Sequence, residues 1–194
     1  MAQGILLTDD EIVALAALSG HPWPTGLATV PAAAGELSRA GQRGIRSLVI
    51  RGIVTADAES GYTVHPGVAA VIETFVRAPR RIGAYIAPVD AVEVMAGAAI
   101  IAVPVAGIWW IDSATAQGVH GFRQADTDEV LAAIIDLADQ TRNGTLLAEV
   151  DNPSAYACVI VYGDGPEQRT VVPAGSPDGW DRGPLQQAFA VATV

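Results

Sequence analysis

The chain has 194 residues, of which 51% are hydrophobic, enough to bury one sizeable core or two small ones and to exclude a disordered chain. Its 11 cations are all arginine and face 21 acidic residues, and the resulting formal charge of -10 disfavours long-range attraction to nucleic acid or anionic lipid.

At the start, Met1 to Ile5 has neither a basic segment nor a long apolar one, so no signal peptide is expected and the protein should stay in the cytosol. Thr8-Asp9-Asp10-Glu11 is a capping box, and Ile12, Leu15, Ala16 and Leu18 follow at helical spacing. Gly20 and His21-Pro22-Trp23-Pro24 end that helix. A second helix is expected from Pro31 to about Ala40, and a third from about Gln42 to Arg51 with Ile45, Leu48 and Val49 inward.

Ile53–Thr55 and Tyr62–Val64 read as two short strands around a polar tip at 57–61. Pro66 opens a helix with Val68, Val71, Ile72 and Phe75 on one face, and Pro79 lies just past its end. From Arg81 the pattern changes to short apolar runs at 82–87, 98–103, 108–111 and 118–122, which suit an antiparallel sheet. The uncharged stretch 94–111 approaches the length of a membrane span, but Pro104 and Gly107 interrupt it and no arginine flanks it. Two strands joined by a turn are expected there.

Thr127 begins an amphipathic helix with Val130, Leu131, Ile134, Ile135 and Leu137 in one stripe, stopped by Asn143-Gly144. Strands follow at 146–150, 156–162 and 168–172, with turns at 151–153 and 163–166. The tail from Gly175 to Pro184 is rich in Gly, Pro and Asp and holds Trp180.

Cys158, the single cysteine, lies in an apolar run and reads as a buried, inert thiol, with no disulfide and no multi-cysteine metal site. His21, His65 and His120 stand apart in sequence and read as structural or solvated. Neither Gly163-Asp164-Gly165 nor Gly41 to Gly44 has the spacing or the lysine of a phosphate loop. Asp126, Asp128 and Glu129 read as capping residues at a helix start. Two sets of candidates remain. Arg39, Arg43, Arg46 and Arg51 precede the hairpin where a winged helix places its recognition helix, although Asp57 and Glu59 make the wing tip acidic. Trp23, Trp109, Trp110 and Trp180 are candidate aromatic anchors for a partner, and the adjacent Trp109 and Trp110 must point to opposite sheet faces.

The order of features from Asp9–Leu18 through Arg51-Gly52-Ile53-Val54, the hairpin, Val64-His65-Pro66-Gly67-Val68 and Pro79 resembles the EspG-type chaperones of actinobacterial ESX (type VII) secretion systems. Arginine without lysine agrees with a high-GC, actinobacterial source. The resemblance implies an α+β chaperone of the cytosol that holds a secreted PE/PPE-type substrate soluble, without catalysis or cofactor, and it carries over no individual binding residue.

The sequence therefore leads to an α+β fold, with a helical winged-helix-like part over 1–79 and an antiparallel sheet carrying the helix 127–142 over 80–194. The expected function is non-catalytic protein binding, as chaperone or adaptor, with no metal or cofactor and with a homodimer open. The alternative is a winged-helix DNA-binding regulator with a C-terminal sensing or dimerisation domain.

Overall fold

A computed structural model gives the architecture; residues 4–57, 59, 61–95, 97–142, 156–163, 168–174 and 181–193 are described. The elements in chain order are β1 (Ile5–Thr8), α1 (Asp9–Leu18), α2 (Ala34–Ile50), β2 (Val54–Asp57), β3 (Gly61–Val64), α3 (Pro66–Arg77), β4 (Arg81–Pro88), β5 (Ala99–Val105), β6 (Ile108–Ala114), β7 (Val119–Ala125), α4 (Thr127–Arg142), β8 (Tyr156–Gly163), β9 (Gln168–Pro173) and α5 (Arg182–Thr193). The class is α+β. Seven strands form one antiparallel sheet in the order β1-β7-β6-β5-β4-β8-β9, and β2 and β3 form a separate hairpin.

Alternation along the strands divides the core between the two sheet faces. On one face Ile82, Ala84, Ile86, Ile111, Cys158 and Ile160 meet α4 and α5, which contribute Val130, Ile134, Leu185 and Phe189. On the other, Leu7, Ile101, Val103 and Phe122 meet α1 and α3, through Ile12, Leu15, Ile72 and Phe75. We call these the α4 face and the α1 face. α2 packs on α1 as an outer layer.

The Thr8 capping box forms as expected: Glu11 N–H donates to Thr8 Oγ1 at 3.3 Å and Thr8 N–H donates to Glu11 Oε2 at 2.9 Å. Asp126 and Glu129 make the reciprocal pair of bonds, 2.9 and 2.8 Å, at the start of α4. The stretch 94–111 holds β5, a turn at Ala106-Gly107 with φ of 50° and 87°, and the start of β6. Among the described residues no helix is long and apolar enough to cross a membrane.

Three features depart from the expected elements. The two helices placed at 31–40 and 42–51 are the single helix α2. Gly41 and Gly44 do not break it, because they form its contact with α1, where a Cβ at Gly41 would lie 3.6 Å from Val13 and one at Gly44 would fall on the carbonyl of Asp10. Ile5–Thr8 is a strand, so the N-terminal part lends the sheet one of its edges. Residues 182–193 form α5 within the segment read as a tail and its sequel, with Leu185, Ala188, Phe189 and Ala192 buried. The strand expected at 146–150, its helix stop at 143–144 and the turn at 151–153 lie outside the described residues.

Candidate functional site

The N-terminal helical part meets the sheet through charges. Asp9, at the first turn of α1, is 2% exposed, and His120 of β7 and Asp112 of β6 are 1% and 0% exposed. His120 Nδ1 lies 2.8 Å from Asp112 Oδ2, and Nε2 lies 2.7 Å from Asp9 Oδ1. Asp9 Oδ2 accepts from Thr29 N–H at 2.6 Å and Oγ1–H at 2.7 Å. Gly118 closes against this group with φ of 70°; a Cβ there would sit 2.6 Å from Asp9 Oδ2.

Burial by itself would lower the pKa of His120, but hydrogen bonds to Asp112 and Asp9, reinforced by their charges, raise it to about 9. Burial works against the Asp9 carboxylate too, and its bonds to His120 and Thr29 outweigh that and hold its pKa below the usual value. At Asp112 burial dominates and raises the pKa. With both ring nitrogens of His120 engaged by carboxylates, the imidazolium has no lone pair for a metal and no free base function. This constellation is a structural clamp between α1 and the sheet.

A second buried acid organises the neighbouring edge. Glu11 is 1% exposed, and besides its cap bond it accepts from Ser47 Oγ at 2.7 Å and from Arg51 Nη1 at 2.6 Å. Arg51 Nη2 also donates to the carbonyl of Leu6 at 2.9 Å. Leu6 C=O and Thr8 N–H belong to the side of β1 that faces away from β7, so Arg51 and Glu11 occupy the groups through which another strand could add.

The arginine candidates are thus spread over different roles. Arg51 anchors the Glu11 site, Arg43 makes a two-pronged pair with Asp10 at 2.7 Å for each bond, and Arg39 pairs with Glu36 at 2.7 Å. Arg46 is exposed on α2. The tryptophans diverge as well. Trp23 stacks on Phe75 with centroids 5.7 Å apart and meets Phe122 and His120 edge-on at 6.2 Å, so it closes the α1-face core. Trp109 packs on the α4 face with Nε1 donating to Thr127 Oγ1 at 3.1 Å, and Trp110 packs on the α1 face. The opposite facing of this pair follows the strand alternation, and both rings are at least partly covered. Trp180 lies outside the described residues. His21 bonds the Ser19 carbonyl at 2.9 Å, and His65 caps α3 by accepting from Gly67 N–H at 3.2 Å. Cys158 is fully buried and burial pushes its thiol up to about 12.

Exposed large apolar side chains are spread over the surface, from Leu6 on β1 to Val191 on α5, and one set lies at the end of α2 and in the hairpin that follows it. At the end of α2, Ile50 is 85% exposed and Val49 is exposed beside it; Tyr62 is exposed on β3. Of the eight strand residues in the hairpin β2–β3, Val54 is buried and Val64 half-buried, and the other six are exposed. Asp57 and Glu59 stand at its tip, where Asp57 Oδ1 accepts from Glu59 N–H at 2.9 Å. Ile50 and Tyr62 were not singled out by sequence as candidate anchors, and Val49, expected to face inward, is instead exposed, because the buried line of α2 runs through Ala40, Gly44 and Leu48 and Val49 falls beside it. Neither a protein-family model nor a curated protein sequence matches the chain.

Proposed function

We propose that the chain is a non-catalytic protein-binding protein, an adaptor or chaperone whose docking surface is the end of α2 together with the hairpin β2–β3. The observation that carries this reading is the hairpin's exposure beside Ile50. A two-stranded hairpin is marginal in water unless its side chains pack on something, and this one buries little of its own surface. The acidic tip suits a partner with an apolar centre and cations at its rim. The partner class is the one the EspG resemblance implies, a helical secreted protein of PE/PPE type held soluble in the cytosol.

The regulator reading is the weaker of the two on electrostatic grounds. Three of the four arginines it needs make ion pairs within the chain, and a reader of phosphates would have to give up those pairs.

The test is affinity capture from the source organism's lysate by three forms of the chain: wild type, an Ile50→Asp/Tyr62→Ser double variant, and an Arg43→Ala/Arg46→Ala double variant. The expected outcome is a protein held by the wild type and the arginine variant but lost by the Ile50/Tyr62 variant, with nuclease making no difference. Nuclease-sensitive material lost only from the arginine variant would overturn the proposal in favour of a DNA reader.

A further inference from the structure

The α1 face is not covered across its whole width. α1, α3 and Trp23 lie over β1, β7, β6 and β5, whereas β4 and β8 form the floor of an open cavity of about 590 Å³. Two segments wall it: residues 23–26, and a stretch carrying Glu93 and Met95 that Tyr85 fixes by donating its hydroxyl to the Val92 carbonyl at 2.8 Å. The opening has a cause in the sequence. Gly83 and Gly163 stand on this face of β4 and β8 and contribute no side chain to fill it, and a Cβ at Gly83 would come no nearer than 4.0 Å to any neighbour.

Two arginines enter from the strands. Arg81 is opposite Gly163 and Arg169 is opposite Val161, so both belong to the cavity's face, on either side of β8. Arg81 is half-buried and donates to the Ala78 carbonyl at 3.1 Å, yet among the described residues no carboxylate pairs with it, although Glu93 lines the same cavity. Burial lowers its pKa, the sign of a cation whose lost hydration is not made good by a counter-charge. Two further polar atoms of the lining residues, Trp23 Nε1 and Thr25 Oγ1, are buried without hydrogen-bond partners.

We propose that this cavity binds a small organic acid, with the carboxylate on Arg81 and an apolar body lying over Gly83 between Trp23 and Met95. The planar guanidinium presents paired donors that match a carboxylate. The volume falls in the range of roughly 300–1,000 Å³ typical of small-molecule sites, and the lining is mixed, with Trp23, Met95 and Ile101 beside a few polar and charged groups, which suits a small acid with an apolar body. The site is separate from the α2–hairpin surface, so its failure and that surface's failure are independent.

The experiment titrates the full chain with 3-phenylpropionate and decanoate and with their uncharged amides, by calorimetry. The wild type should bind one acid per chain, about tenfold or more tighter than the matching amide. Arg81→Gln should abolish the preference for acid over amide, and Arg81→Lys should restore part of it. Gly83→Leu should fill the floor and abolish binding of both while leaving the circular dichroism spectrum and Tm near those of the wild type. Equal affinity for acid and amide, no binding of either acid at millimolar concentration, or acid binding that survives in a folded Gly83→Leu chain would each overturn the assignment. If Gly83→Leu fails to fold, the Arg81 variants decide alone.

Discussion

The two faces of one sheet are held in different ways. The α4 face is apolar throughout its core, from Ile82 and Ile160 to the inert Cys158, and its helices dock by burial of side chains that alternate or recur with the local period. The α1 face carries buried charges: Asp9, His120 and Asp112 form one cluster and Glu11 with Arg51 another, joining residues far apart in the chain. Apolar burial is non-directional and tolerates small losses. A buried charge cluster is directional and depends on pH, and removing one member leaves the others uncompensated.

The sharpest way to break this contrast is to remove the cation between the two carboxylates. His120→Leu should cost about 3–5 kcal/mol at pH 6.5, whereas Ile160→Val on the opposite face should cost about 1 kcal/mol. Urea unfolding of both variants measures the difference. Equal losses would mean that the cluster is no more than ordinary packing.

A smaller effect should appear without mutation. His120 has its pKa raised from 6.5 to about 9 by folding, so its contribution is fully present below about pH 6.5 and is lost as pH rises through 9. Asp9 has the opposite sign: its depressed pKa gives stability above the ordinary carboxylate range that is lost on acidification. The wild type should therefore lose on the order of 3 kcal/mol between pH 6 and pH 9.5 on the basis of the His120 shift. A His120→Gln chain should show a much flatter profile. A wild-type curve as flat as that of the variant would show that folding does not raise the pKa of His120.

The same contrast explains what was legible in the sequence. Local signals carried the α4 face and most strands: the Thr127 helix, the β5–β6 hairpin and the run around Cys158 all announce themselves within a dozen residues. The α1 face is written in long-range pairs. His120 and Asp9 are 111 positions apart, and nothing near either residue identifies the other. β1 is only four residues long and finds its partner in β7, so its own pattern was too short to mark a strand. α5 did carry a legible signal in the spacing of Leu185, Ala188, Phe189 and Ala192, but its first turn falls in the stretch 175–184 read as a tail, and no element was expected after it. Pro184 is tolerated there because it falls in the first helical turn, where backbone N–H groups have no partner within the helix. The cavity was illegible for a related reason: only when β4 and β8 pair does Gly83 come opposite Val161 and Gly163 opposite Arg81, which puts both glycines on one face.

The smallest expected effect lies in the turn between β5 and β6, which belongs to neither face. Ala106 and Gly107 both have positive φ, 50° and 87°, as a two-residue hairpin turn of the favoured mirror-image type requires. Glycine adopts that conformation readily, whereas alanine pays for it through its Cβ, and asparagine is the side chain that tolerates it best. Ala106→Asn should therefore stabilise the fold by about 0.5 kcal/mol, read as a small rise in Tm with an unchanged pH profile. The unchanged profile separates this local backbone effect from the charge cluster, because a turn that lies outside the cluster can shift the whole stability curve but not its dependence on protons. A fall in Tm would show that Ala106 packs in a way its backbone angles do not reveal.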